Sequence, residues 1–98
     1  MGTIRAARLE NSKRLQSVFW LLADGREHST RDVIRACDRC AINSIMDELR
    51  DDEHTDNGLT IDCKYSDGAH RYRMLRDAKF YSWRRRLIEQ AEREAANA

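Results

Sequence analysis

The residues of this chain best suited to chemistry are three cysteines and three histidines. Cys37 and Cys40 have the Cys-x-x-Cys spacing of half a zinc site, and Cys63 with one of His28, His54 or His70 would bring the ligands to four. No second close pair supports that site. Cys37 falls on the apolar stripe of its segment and Cys63 on one side of an alternating run, so both read as small hydrophobes and no metal is expected. In a reducing cytosol a structural disulfide is not expected either. No nucleophile, base and orienting group can be assembled from these spacings, and there is no glycine-rich phosphate loop. No catalytic residue and no cofactor is therefore expected.

Charge is the remaining chemical resource, and it is unevenly spread. The 98 residues sum to a formal +1, yet residues 1–30 carry +2, residues 31–62 carry −5 and residues 63–98 carry +4. A basic C-terminal third suits a polyanion, whereas an acidic middle repels one. The apolar content supports one modest core, with too few residues for a second domain or a large enclosed pocket. No apolar run is long enough to span a bilayer and no leader pattern opens the chain, so a cytoplasmic protein without membrane contact is expected.

The elements that would position these groups follow from periodicity. Residues 1–11 lack a sustained apolar face and read as a flexible N-terminal arm. From Ser12, Leu15, Val18, Phe19 and Leu22 recur at helical steps, with Trp20 and Leu21 widening the face, until Asp24-Gly25 stops the helix. Glu27-His28-Ser29 leaves room for a turn or a minimal strand. Ser29 and Asp32 have the spacing of a capping box and start a helix of about eight residues that turns Val33, Ile34 and Cys37 inward. After a short break, Ile42, Ile45, Met46 and Leu49 form the stripe of a third helix, and the pair makes a helix-turn-helix. An acidic loop from Asp51 to Gly58 follows.

Leu59, Ile61, Cys63 and Tyr65 then alternate with polar residues, as do His70, Tyr72 and Met74 beyond Asp67-Gly68, a strong hairpin turn. With those two residues as the turn, Tyr65 faces His70, Cys63 faces Tyr72 and Ile61 faces Met74, so the apolar side chains share one face. The other face pairs Asp62 with Arg73 favourably and Lys64 with Arg71 unfavourably. From Asp77, Phe80, Trp83, Leu87, Ile88, Ala91 and Ala95 mark a fourth helix. The expected class is α+β, mainly α with a small β-hairpin, in which residues 12–76 form the domain and residues 77–98 a C-terminal helix.

This order is that of a winged helix, and the stretch from Arg14 to Leu75 resembles small phage and prophage winged helix-turn-helix DNA-binding proteins. The resemblance is carried by Leu21-Leu22-Ala23-Asp24-Gly25, His28-Ser29-Thr30-Arg31-Asp32, Ile42-Asn43-Ser44, Asp47-Glu48-Leu49-Arg50, Gly58 before Ile61, and Tyr72-Arg73-Met74-Leu75. It implies a regulator in the cytoplasm of a bacterial host, with duplex DNA as its partner. The third helix would enter the major groove and offer Arg39, Ala41, Asn43, Ser44 and Asp47 to base edges. Arg31 and Arg35 of the preceding helix and Lys64, His70, Arg71 and Arg73 of the wing would meet the backbone. Phe80, Trp83, Leu87 and Ala91 are the expected self-association face of a homodimer formed through the C-terminal helix. The competing expectation is a protein-binding adaptor or inhibitor of host machinery, acting through the acidic third helix and loop.

Overall fold

A computed structural model of the chain describes residues 6–37 and 41–97. Among these residues, after a 3-10 turn at Leu9–Asn11, four α-helices and three strands follow in the order α1 (Lys13–Leu22), β1 (His28–Ser29), α2 (Thr30–Cys37), α3 (Ile42–Arg50), β2 (Ile61–Ser66), β3 (Ala69–Met74) and α4 (Ala78–Ala96). The class is α+β: three helices, then an antiparallel sheet of order β1-β3-β2, then a long C-terminal helix, consistent with winged helix-turn-helix topology.

The helix starts are set by side-chain oxygens. Ser12 Oγ accepts from Leu15 N at 3.3 Å, and Asp77 Oδ1 accepts from Phe80 N at 3.0 Å, each satisfying an amide that has no partner within its helix. At α2 the capping box forms in both directions. Asp32 N donates to Ser29 Oγ at 3.2 Å and Ser29 N donates to Asp32 Oδ2 at 3.1 Å. Gly25, at φ +76°, turns the chain out of α1 in a conformation that a side chain would strain.

The hairpin has the expected register: Ile61 pairs with Met74, Asp62 with Arg73, Cys63 with Tyr72, Lys64 with Arg71 and Tyr65 with His70. Asp67 and Gly68 both take positive φ, 52° and 75°, which matches the twist of the flanking strands. The minimal strand is real as well, because His28 pairs with Tyr72 and Ser29 with Arg71. Leu59 is buried but precedes β2 rather than belonging to it.

The core joins Leu15, Val18, Phe19 and Leu22 of α1 to Val33, to Ile45, Met46 and Leu49 of α3, and to Ile61, Tyr72 and Met74 at the hairpin base. Phe80, Trp83 and Leu87 complete it from α4, with Phe80 stacked on Phe19 at 5.5 Å between centroids. Three side chains expected inside are not. Trp20 is 43% exposed and Ile34 46% exposed, since each sits about one helical step off the buried stripe of its helix. Cys63 is exposed because it lies on β2, an edge strand of the sheet, whereas its rung partner Tyr72 on the central strand β3 is buried.

The N-terminal segment departs most from expectation. Residues 1–5 lie outside the described residues, but from Ala7 onward the expected arm is docked: Leu9–Asn11 forms a turn of 3-10 helix and Leu9 is fully buried. Its anchor is Asn57, whose side chain is wholly inaccessible. Asn57 Oδ1 accepts from Leu9 N at 2.9 Å, and Nδ2 donates to Ala7 O at 2.9 Å and to Glu48 O at 2.8 Å. Glu48 adds a second tie, accepting from Ala7 N at 3.0 Å and pairing with Arg14 at 2.9 Å. Replacing Asn57 by Ala removes all three of its bonds and leaves buried groups unpaired, so Asn57→Ala is expected to lower unfolding free energy by about 2–4 kcal/mol in urea titrations. Asn57→Asp, which keeps the acceptor but buries a charge without the two donors, should do no better.

Candidate nucleic-acid interface

α3 buries Ile45, Met46, Glu48 and Leu49 and turns Ala41, Asn43, Ser44 and Asp47 outward. Four of the five expected base-contacting residues thus share one exposed face; Arg39 lies outside the described residues. Ala41 stands at the N-cap and has no side-chain acceptor to offer the first-turn amides. α2 differs, its N-terminus being occupied by the Asp32 carboxylate.

α3 and the wing are held at a fixed spacing by Arg50. Its Nε and Nη2 both donate to Ile61 O, at 3.2 and 2.6 Å, tying the end of α3 to the first residue of β2. This grip occupies the one cation of α3 and has no signature in the sequence. Between α3 and the hairpin lies a cleft lined by Asn43, Met46, Asp47, Cys63, His70 and Tyr72. At its outer end Cys63 Sγ is 3.7 Å from His70 Nδ1, and the Tyr65 and His70 rings meet edge-on at 4.9 Å.

The expected backbone-contacting residues divide between two faces of the sheet. His70 is on the face turned to α3, whereas strand alternation puts Lys64, Arg71 and Arg73 on the reverse. Lys64 lies 3.4 Å from Glu27 and Arg73 lies 3.7 Å from Asp62, while Arg71 has no ion pair among the described residues. Arg31 and Arg35 are exposed on α2, and Arg31 borders a hollow shared with Gly68, Ala69 and His70 at the wing tip. Exposed pairs such as Lys64–Glu27 contribute little and exchange readily for another anion.

The acidic loop is drawn toward α4. Asp56 is bound by Lys79 Nζ and Arg86 Nη1, both at 2.9 Å, and Trp83 Nε1 donates to Asp56 O at 2.8 Å. Arg86 also lies over the Trp83 ring, 3.7 Å from its centroid. Hydrogen bonds from Lys79 and then from Arg86, with their charges, hold the Asp56 carboxyl below its usual range. Asp51 bonds His54, 3.1 Å from its Nδ1. That hydrogen bond, with the charges of Asp51 and Glu53, raises the His54 pKa against desolvation.

The cysteines and the C-terminal helix need correction. Cys37 is buried as expected but disulfide-bonded, contrary to the expectation of reduced thiols; Cys40 lies outside the described residues. Among the described residues no three His, Cys, Asp or Glu side chains cluster as metal ligands. Of the expected self-association residues, Phe80, Trp83 and Leu87 are buried in the chain's own core, and only Ala91 is exposed. Among the described residues no helix is long and apolar enough to cross a membrane. No known protein family, curated protein or solved structure matches the chain.

The Asp56 anchor gives a signed pH dependence. A carboxyl lowered on folding stabilises the loop above its unfolded pKa, and that contribution is lost as pH falls through the lowered folded value. NMR titration should show the Asp56 carboxyl titrating below 3.8, its ordinary value. Arg86→Gln should move it upward.

Proposed function

We propose that the chain is a small duplex-DNA-binding regulator, with α3 in the major groove and the β2–β3 wing on the phosphate backbone. One observation carries this reading: acids that obstruct it in the sequence are engaged by partners within the fold. Asp56 is clamped by Lys79 and Arg86 on α4, Glu48 is buried against Arg14, and Asp51 is bonded to His54. Asp47 is the one acid left on the outward face of α3, beside the uncharged Ala41, Asn43 and Ser44. Arg31 and Arg35 are exposed on α2 and His70 faces α3, while Lys64, Arg71 and Arg73 stand on the reverse face of the wing, where long flexible cations suit phosphate.

The roles follow from chemistry. Asn43 can donate to N7 and accept from the N6 amine of adenine in the bidentate manner of a carboxamide; Ala41 suits a thymine methyl, Ser44 a phosphate or base edge, and Asp47 a cytosine amine. The amides at the start of α3 add favourable potential for a phosphate. The rival reading, a protein-binding surface made of the acidic helix and loop, is supported less, because Glu48 is buried and the Asp51 and Asp56 carboxylates are already engaged within the chain.

Selection from a pool of random duplexes at two salt concentrations tests this. Retention should fall steeply with salt, and sequencing should show an enriched motif. Asn43→Ala should alter preference at one position, costing about 1–3 kcal/mol of discrimination there. Arg71→Ala should weaken all sequences alike and reduce the salt slope by about one. Absence of salt-sensitive retention would overturn the proposal and favour a protein partner.

A further inference from the structure

α4 carries two apolar stripes, and the fold uses only one. Phe80, Trp83 and Leu87 face the core, whereas Tyr81 and Ile88 are 53% and 36% exposed, and Ala95 is exposed on the same side. Tyr81, Ile88 and Ala95 recur every seven residues, the repeat that keeps a seam facing a partner helix. The groove beside this stripe is completed by Trp20 of α1, also largely exposed, which adjoins Ile88 and Ala95. Beyond Gln90 every described residue of α4 is exposed, although the helix continues through Ala96. Such an unsupported terminal stretch gains little stability alone.

We infer that a second copy of the chain covers this face, with the two α4 helices crossing antiparallel at Ile88. The charge pattern selects this occupant. Arg84 precedes Ile88 by four residues and Glu92 follows it by four, and neither has an ion pair among the described residues. In an antiparallel pair centred on Ile88, positions equidistant from the centre face each other. Each Arg84 then meets the partner's Glu92, twice by symmetry, and each Tyr81 lies over the partner's Ala95, whose small side chain admits the ring. Parallel pairing would instead set Arg84 against Arg84 and Glu92 against Glu92. A two-fold arrangement is isologous and closes at two chains. The surface lies on α4 and α1, so its occupation does not depend on α3 binding DNA.

Sedimentation equilibrium of the full chain without DNA tests the inference. The wild type should pass from monomer to dimer as concentration rises through the micromolar range. Ile88→Lys places like charges on the two-fold axis and should give monomer alone, with the far-UV dichroism unchanged because the side chain is outside the core. Arg84→Glu and Glu92→Arg should each raise the dimer dissociation constant about tenfold, since each creates two like-charge contacts. An equimolar mixture of these two variants restores both opposite-charge contacts and should dimerise as tightly as the wild type. If Ile88→Lys fails to fold, the mixing experiment still decides. A wild type that stays monomeric, a larger assembly, or reversals that leave the dimer unweakened or are not rescued by mixing would overturn the inference.

Discussion

The fold depends on one buried side-chain amide. Asn57 joins three stretches distant in sequence, the N-terminal segment at Ala7 and Leu9, the end of α3 at Glu48, and the loop that contains it. The bonds satisfy the buried Leu9 amide and the half-buried Ala7 carbonyl, and give Glu48 O a second donor beside Asp51 N. The consequence extends past the bonds themselves. With Asn57 fixed, the preceding residue Asp56 is delivered to Lys79, Trp83 and Arg86, so the same contact that closes the core also fixes the course of the acidic loop. Docking of Leu9 follows from it as well, and Glu10 O then accepts from Gln90 Nε2 at 2.9 Å, joining the N-terminal segment to α4.

Local patterns in the sequence proved reliable wherever the determining physics is local. The Ser29–Asp32 box, the helix starts at Ser12 and Asp77 and the Asp67-Gly68 turn are set by short-range interactions, and the hairpin register follows from the turn together with strand alternation. What could not be read is what depends on long-range packing. Leu9 in a polar stretch reads as part of a loose terminus until Asn57, 48 positions later, is seen to hold it. Trp20 and Ile34 lie next to their apolar stripes, and whether a helix buries two or three residues per turn depends on how many neighbours surround it. Cys63 takes the side that alternation assigns it, but alternation carries no information on which strand lies at the edge of the sheet.

The candidate interface was legible in its parts and not in its electrostatics. Asn43, Ser44 and Asp47 share the face that helical spacing assigns them. Summed charge along the chain, however, treats every acid as equally available, and here Glu48 is buried while Asp51 and Asp56 are engaged. The cations are redistributed too: Arg50, Arg86 and Lys79 hold structure together, leaving Arg31, Arg35 and Arg71 free of ion pairs among the described residues. A segmental charge of −5 therefore describes the composition of residues 31–62 and says little about the potential met by a ligand at α3.

α4 links these two levels. Its first half is an internal element, since Phe80 and Trp83 finish the core and Lys79 and Arg86 restrain the loop. This use consumes one face of the helix and one part of its charge. Tyr81, Arg84, Ile88 and Glu92 are what remains, and they remain in an order with its own periodicity and its own complementarity. An element required only to close the core could end near Leu87, the last of its residues in the buried cluster. The helix instead runs nine residues further, to Ala96, as an Ala- and Glu-rich extension that the core does not support. Among the described residues that extension has little packing beyond Gln90 to offset the cost of ordering it, whereas a facing helix would supply both apolar contact and opposite charge at the spacing the sequence already contains.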